Sequence, residues 1–284
     1  MSKYLKAGSF VLLYLAVYFI VQLAVTIIYT IGYIVYLAIQ RYPLTEITMD
    51  SILKNTSTVM LVSIIISIPL YVLVSKIKKE SFIEVCGFRR INAVNIGLNS
   101  ILGISMGIFI MLALTYLNYI LPLEKISQNY EEIMKAVMSG NFIIVFITVG
   151  IFGPIIEEII FRGLILNELK KVSPVIAAVI IQAVLFGAYH MNPLQSSYAF
   201  VVGIVLGLVA VLTRSIWAPI LVHVFFNSVN VIIDKALEAN PEQQTQFFGV
   251  YTLIISFIVM ASSIFIVWKI SRKCPDPLPQ DSLE

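Results

Sequence analysis

Both histidines of this 284-residue chain lie inside apolar stretches, each at helical spacing from a distinctive partner: Phe186-x-x-x-His190 and His223-x-x-x-Asn227. A third apolar stretch carries Glu157-Glu158-x-x-x-Arg162. Ionisable groups inside a bilayer cost roughly 2.5–3.5 kcal/mol each, so such residues mark a functional site by default. On a helix, Glu158 and Arg162 share a face and can form an ion pair. Glu157 points about 140° away from Arg162. A buried structural pair would account for Glu158 and Arg162 but leaves Glu157 as a surplus acid, a candidate general base. Just upstream, Gly153-Pro154 removes a backbone donor and is expected to kink the helix, opening room for water beside Glu157.

A carboxylate and a neutral imidazole suffice to activate water, and a second histidine with an asparagine on one helix face supplies donors for a developing oxyanion. That combination describes amide hydrolysis without a protein nucleophile; no serine or cysteine stands in a nucleophile motif. Alternatively, Glu157, His190 and His223 form a set of two histidines and one glutamate, a catalytic zinc pattern with water as fourth ligand. No His-Glu-x-x-His spacing demands the metal, so a zinc-bound and a metal-free water both stay open. Phe186 is expected to pack against the His190 ring, and Asn230 to serve as an interhelical hydrogen bonder.

The elements that must position these groups are membrane helices. Hydrophobic residues make up 59% of the chain and charged residues 12%, with a mean hydropathy of +0.95. Apolar runs near residues 10–39, 59–74, 95–121, 142–166, 174–190, 199–213, 216–233 and 248–268 predict an all-α, polytopic bundle of eight helices in a single membrane domain, 1–284. Lys170, Lys171 and Pro174 mark a tight turn. Glu157 and His190 lie about 16 residues either side of it, so both stand roughly 25 Å up a helical hairpin. The polar residues Asn167, Glu168, Lys170 and Lys171 suggest that the tip of this hairpin protrudes from the bilayer. His223 stands roughly 12 Å above the next turn on that side, at Thr213–Ser215, with Asn227 one turn higher.

Alternating the connections puts thirteen of the 19 Lys and Arg residues on one side and five on the other, with Arg162 inside a span. By the positive-inside rule both termini face the cytoplasm. The net charge of +3 then reads as topology, not as a nucleic-acid surface; for Lys76–Arg90, snorkelling flanks are favoured over a headgroup patch. Cys86 and Cys274 fall in a reducing compartment and are structurally neutral. The first apolar run is too long for a signal peptide and is expected to be retained as a span. Residues 122–140 read as an interfacial helix with Ile126, Tyr130, Ile133, Met134 and Val137 on one face. Gly103/Gly107 and Gly203/Gly207 read as close-packing devices, and 274–284 as a short disordered cytoplasmic tail. No internal repeat is visible, which counts against a transporter.

The three motifs, in this order, resemble those of the CPBP intramembrane proteases, the type II CAAX prenyl endopeptidases and bacteriocin-processing (Abi) proteins. The flanking text agrees: Glu157-Glu-Ile-Ile-Phe-Arg-Gly163, Leu185-Phe-Gly-Ala-Tyr-His190 and Trp217-Ala-Pro-Ile-Leu-Val-His223. The resemblance is strongest over 142–233. It implies that Glu157 and His190 activate the water, that His223 and Asn227 bind the oxyanion, and that Glu158 and Arg162 support them. The family is filed as metalloprotease, with a metal-free glutamate mechanism also argued for it. The expected substrate is a membrane-associated or lipidated peptide or protein, and the expected setting a bacterial cell membrane, with roles in maturation or bacteriocin immunity. The rival expectation is a non-catalytic membrane regulatory or immunity protein that binds a sensor or envelope enzyme.

Overall fold

The computed structural model describes residues 2–42, 53–121, 124–239 and 249–272. Regular structure among them is helical throughout: α1 (Lys3–Ile39), α2 (Thr56–Ile77), a short α3 (Phe82–Cys86), α4 (Ala93–Ile120), α5 (Glu124–Met138), α6 (Phe142–Lys170), α7 (Val175–Tyr189), α8 (Pro193–Thr213), α9 (Trp217–Ala239) and α10 (Val250–Arg272). Seven of these, all but α3, α5 and α7, are long and apolar enough to cross a membrane. The all-α polytopic bundle is therefore the fold, and the chain is that of an integral membrane protein. Large apolar side chains such as Leu12, Ile20 and Ile28 on α1 are more than half exposed, as expected where lipid is the solvent. The expected tail at 274–284 lies outside the described residues.

The eighth apolar helix is the short one. α7 has 15 residues, a rise of about 22 Å against a hydrocarbon thickness of about 30 Å. It starts a few residues after α6 ends, so its far end, where His190 stands, stops short of the opposite face. The reversal there is abrupt: His190 caps α7, Met191 adopts a left-handed φ of 55°, and buried Asn192 caps α8 by accepting from the amides of Leu194 and Gln195.

The start of α1, the end of α2 and the end of α6 meet at one end of the bundle, tied by an ion cluster. Lys78 Nζ donates to Glu168 Oε1 and to the Tyr14 hydroxyl, and lies 2.8 Å from Glu80 Oε2. Lys171 adds contacts of 3.0 Å to Glu168 and 3.2 Å to Glu80. Glu168 is buried. It is covered and neutralised by two lysines. Burial raises the Glu80 carboxyl, but Lys78 and Lys171 outweigh it and hold the group below the usual carboxylate range.

The glycine pairs do bring helices together. A Cβ on Gly107 of α4 would lie 2.6 Å from Val229 Cγ1 and 2.9 Å from the Phe226 carbonyl of α9, whereas at Gly97 it would meet open space. α5 is less one-sided than its pattern implies. Tyr130 packs edge-on against Tyr198 of α8, with hydroxyls 3.2 Å apart, and Met134 and Val137 are half-buried. Ile126 and Ile133 stay exposed.

Replacing Gly107 by valine should lower the stability of the detergent-solubilised protein by about 1–3 kcal/mol, and Gly97→Ala should leave it unchanged; thermal unfolding followed by tryptophan fluorescence compares them. Because Glu80 is held below its ordinary value, its contribution to stability is present above the ordinary carboxylate range. It is lost as pH falls through the lowered value. The melting temperature of wild type should therefore exceed that of Glu80→Gln at pH 7, and the gap should narrow as pH falls below the ordinary carboxylate range.

Candidate functional site

α6 carries the acid motif, and it is not a plain α-helix. Two π-helical segments, Phe146–Phe152 and Ile159–Ile165, flank an α-helical turn at Gly153–Glu158. Such wide turns concentrate at functional sites. Pro154 explains the first. The Gly153 amide donates five residues back, to Thr148 O. The next donor in that register would be residue 154, which has no N–H. Two carbonyls lose their helical partner at this point, and α9 supplies replacements. Asn227 Nδ2 donates to Val149 O at 2.9 Å, and Ser228 Oγ donates to Gly150 O at 3.1 Å. The kink expected at Gly153-Pro154 thus takes the form of a wide turn latched to the neighbouring helix.

One turn further, Glu158 and Arg162 pair within α6. Arg162 Nη1 donates to Glu158 Oε1 at 2.7 Å, with both side chains fully buried. The same Oε1 accepts from His223 Nδ1 of α9 at 2.8 Å. Arg162 Nη2 reaches Gly203 O of α8 at 3.2 Å, and its guanidinium stacks 4.5 Å from the centre of the Phe186 ring of α7. Gln182 of α7 donates to the same Gly203 carbonyl. One carboxylate–guanidinium pair therefore gathers α6, α7, α8 and α9.

Glu157 faces the other way, as its angular offset requires. Its side chain is 25% exposed, and Oε2 lies 3.7 Å from His223 Nε2. Since a carboxylate can only accept, the short bond to Glu158 puts a proton on Nδ1 of His223 and turns Nε2 toward Glu157. His190 is arranged alike: Nδ1 donates to Phe186 O at 2.8 Å, leaving Nε2 uncommitted. The Phe186 ring stands edge-on to both imidazoles, 4.9 Å from His190 and 5.8 Å from His223. It fixes their spacing, beyond the simple packing role expected beside His190.

The structure thus brings Glu157, Glu158, Arg162 and His223 into one contact network and holds His190 beside it across Phe186. The imidazole in contact with Glu157 is His223; α7 ends at His190 and ties that ring to its own backbone. Asn227 has one amide hydrogen committed to Val149 O, which fixes the direction of the other. The donor types of Glu157, His190 and His223 suit zinc. Among the described residues, however, no group of three His, Cys, Asp or Glu side chains is gathered closely enough to hold a metal ion; as arranged they do not fit one. Cys86 is buried beside Gly163, and burial pushes its thiol up to about 12, which leaves it unreactive. Sequence reasoning missed Ser228 and Gln182. Ser228 had a signal, since Pro154 frees a carbonyl that a neighbouring helix must satisfy.

Glu158→Gln should destabilise the fold by about 3–5 kcal/mol, because it strands the buried Arg162 charge. Glu157→Gln should unfold much like wild type, since Glu157 is partly exposed and makes no contact with the buried Arg162 guanidinium. Thermal unfolding of the two purified variants separates these roles; equal stability would overturn the assignment.

Residues 139–229, from the turn before α6 to just past Asn227, match the family model described as Type II CAAX prenyl endopeptidase Rce1-like. A candidate membrane peptidase, YdiL of Bacillus subtilis (strain 168), is 29% identical over 130 residues, 45% of this chain and 52% of the relative. The membrane-embedded CAAX protease MroQ of Staphylococcus aureus (strain USA300) is 25% identical over 138 residues, 45% of this chain and 55% of the relative. The chain spans about half the length of the curated relatives it matches. No solved structure matches it. The matched segment carries Glu157, Glu158, Arg162, His190, His223 and Asn227.

Proposed function

We propose that this protein is an intramembrane endopeptidase that hydrolyses a peptide bond in a membrane-associated or lipidated peptide or protein, using water activated by Glu157. The observation that carries the proposal is the division of labour between adjacent acids. Glu158 is neutralised by Arg162 and His223, and Glu157 is left partly exposed and facing His223 Nε2. In this reading a water held between Glu157 and the free Nε2 of His190 attacks the scissile carbonyl carbon, and its proton passes to Glu157. The new oxyanion accepts hydrogen bonds from Nε2–H of protonated His223 and from the second amide hydrogen of Asn227. Glu157 then hands the proton to the leaving nitrogen as the C–N bond breaks. Glu158 holds His223 in the orientation that this step needs, and Arg162 keeps Glu158 charged. No step uses a metal. The end of the bundle that gathers Lys3, Lys78 and Lys171 is assigned to the cytoplasm.

The test compares membrane-derived peptides from cells that express wild type or Glu157→Gln. Fragments released by wild type should fall by about 10²–10⁴-fold with the variant, while its melting temperature is unchanged. A Glu157→Gln protein that gives the wild-type fragment pattern and full biological complementation would sink the hydrolase reading and favour a non-catalytic membrane regulator.

A further inference from the structure

A second polar site lies away from the acid–histidine cluster, where the start of α4 meets the ends of α8 and α10. It is a cleft of about 240 Å³ whose lining includes Arg89, Arg90, Arg214, Asn95, Thr213 and Ser271, with no acidic residue among the described residues. Arg89 and Arg90 are exposed and make no ion pair among the described residues. Lys170 lies within electrostatic reach of Arg89 and adds a further positive charge. The backbone is shaped to hold this arrangement. The Arg89 carbonyl accepts from the buried Ser215 hydroxyl, the Gly87 carbonyl accepts from the Ile216 amide, and Arg214 is held in a left-handed conformation with φ 54°. A non-glycine residue in that region is strained and persists where the surroundings enforce it.

Arg89, Arg90 and Lys170 are like charges gathered at one cleft, and their repulsion is relieved by an anion rather than by water alone. Guanidinium groups form planar forks that match phosphate oxygens, and amide and hydroxyl donors complete such a shell. The cleft lies at the ends of three spans, which is the depth of lipid headgroups. We propose that it binds the phosphate of an anionic phospholipid, where sequence alone favoured snorkelling for Arg89 and Arg90, and so fixes the α8–α9 turn, from which α9 carries His223. This site does not depend on the peptidase reading.

The experiment is native mass spectrometry of the full-length protein in detergent, titrated with phosphatidylglycerol, phosphatidylcholine or inorganic phosphate. Wild type should retain phosphatidylglycerol in preference to phosphatidylcholine. The double variant R89Q/R90Q should bind phosphatidylglycerol at least about tenfold more weakly, with an unchanged melting temperature because both side chains are exposed. The variant K3Q/K6Q, altered in the separate lysine-lined cleft beside Lys78, should bind as wild type does. Equal retention of the two lipids, or wild-type affinity in R89Q/R90Q, overturns the proposal. Inorganic phosphate binding as tightly as the lipid would overturn the lipid assignment.

Discussion

The buried carboxylate of Glu158 is the point on which the site depends. It sits in a helix interior with no access to water and meets a guanidinium and an imidazole through one oxygen. A lone ion at that depth would be ejected or neutralised; with Arg162 as its partner it can stay charged, and with His223 it acquires a direction. Because Arg162 also reaches the Gly203 carbonyl and the Phe186 ring, displacing this one group would loosen contacts among four helices. Glu157, one residue away, is left free of a structural task. Adjacent residues on a helix cannot face the same way, so a pair of neighbouring acids divides naturally into one that holds and one that can react.

The second constraint is backbone satisfaction in a solvent that offers no hydrogen bonds. Pro154 breaks the ladder of α6 between the apolar start of the helix and its acid motif. In lipid the freed carbonyls must find donors inside the protein. Asn227 and Ser228 provide them from α9, the helix that also carries His223. The defect in α6 therefore registers α9 against it, and the register sets how far His223 stands from the two glutamates. The requirement that no polar group be left bare is what aligns the two helices.

Much of this was legible in the chain itself. The spacing of Glu158 and Arg162 specified their ion pair, because an α-helical or slightly widened turn brings positions four apart together. The apolar runs gave the bundle, since twenty apolar residues in a row have few other uses, and the small-xxx-small pairs marked where helices touch. The helix at 124–138 was recognisable but its face was not. Tyr130 turns to Tyr198 while Ile126 and Ile133 remain outside, a choice made by α8 and not by periodicity. That Glu168 pairs with Lys78, 90 residues earlier in the chain, was not legible.

Which residues carry ionisable groups, that they lie at bilayer depth, and that one acid is spare are properties of local sequence. They follow from helical geometry and from the cost of burying charge. Which imidazole meets which carboxylate was decided only by the tertiary structure. α7 is too short to cross and ends at His190, whose ring turns to its own backbone. α9, pinned to the broken ladder of α6, brings His223 between both acids. Pairings of that kind depend on differences of a few ångströms between helices far apart in the chain, and no periodicity encodes them.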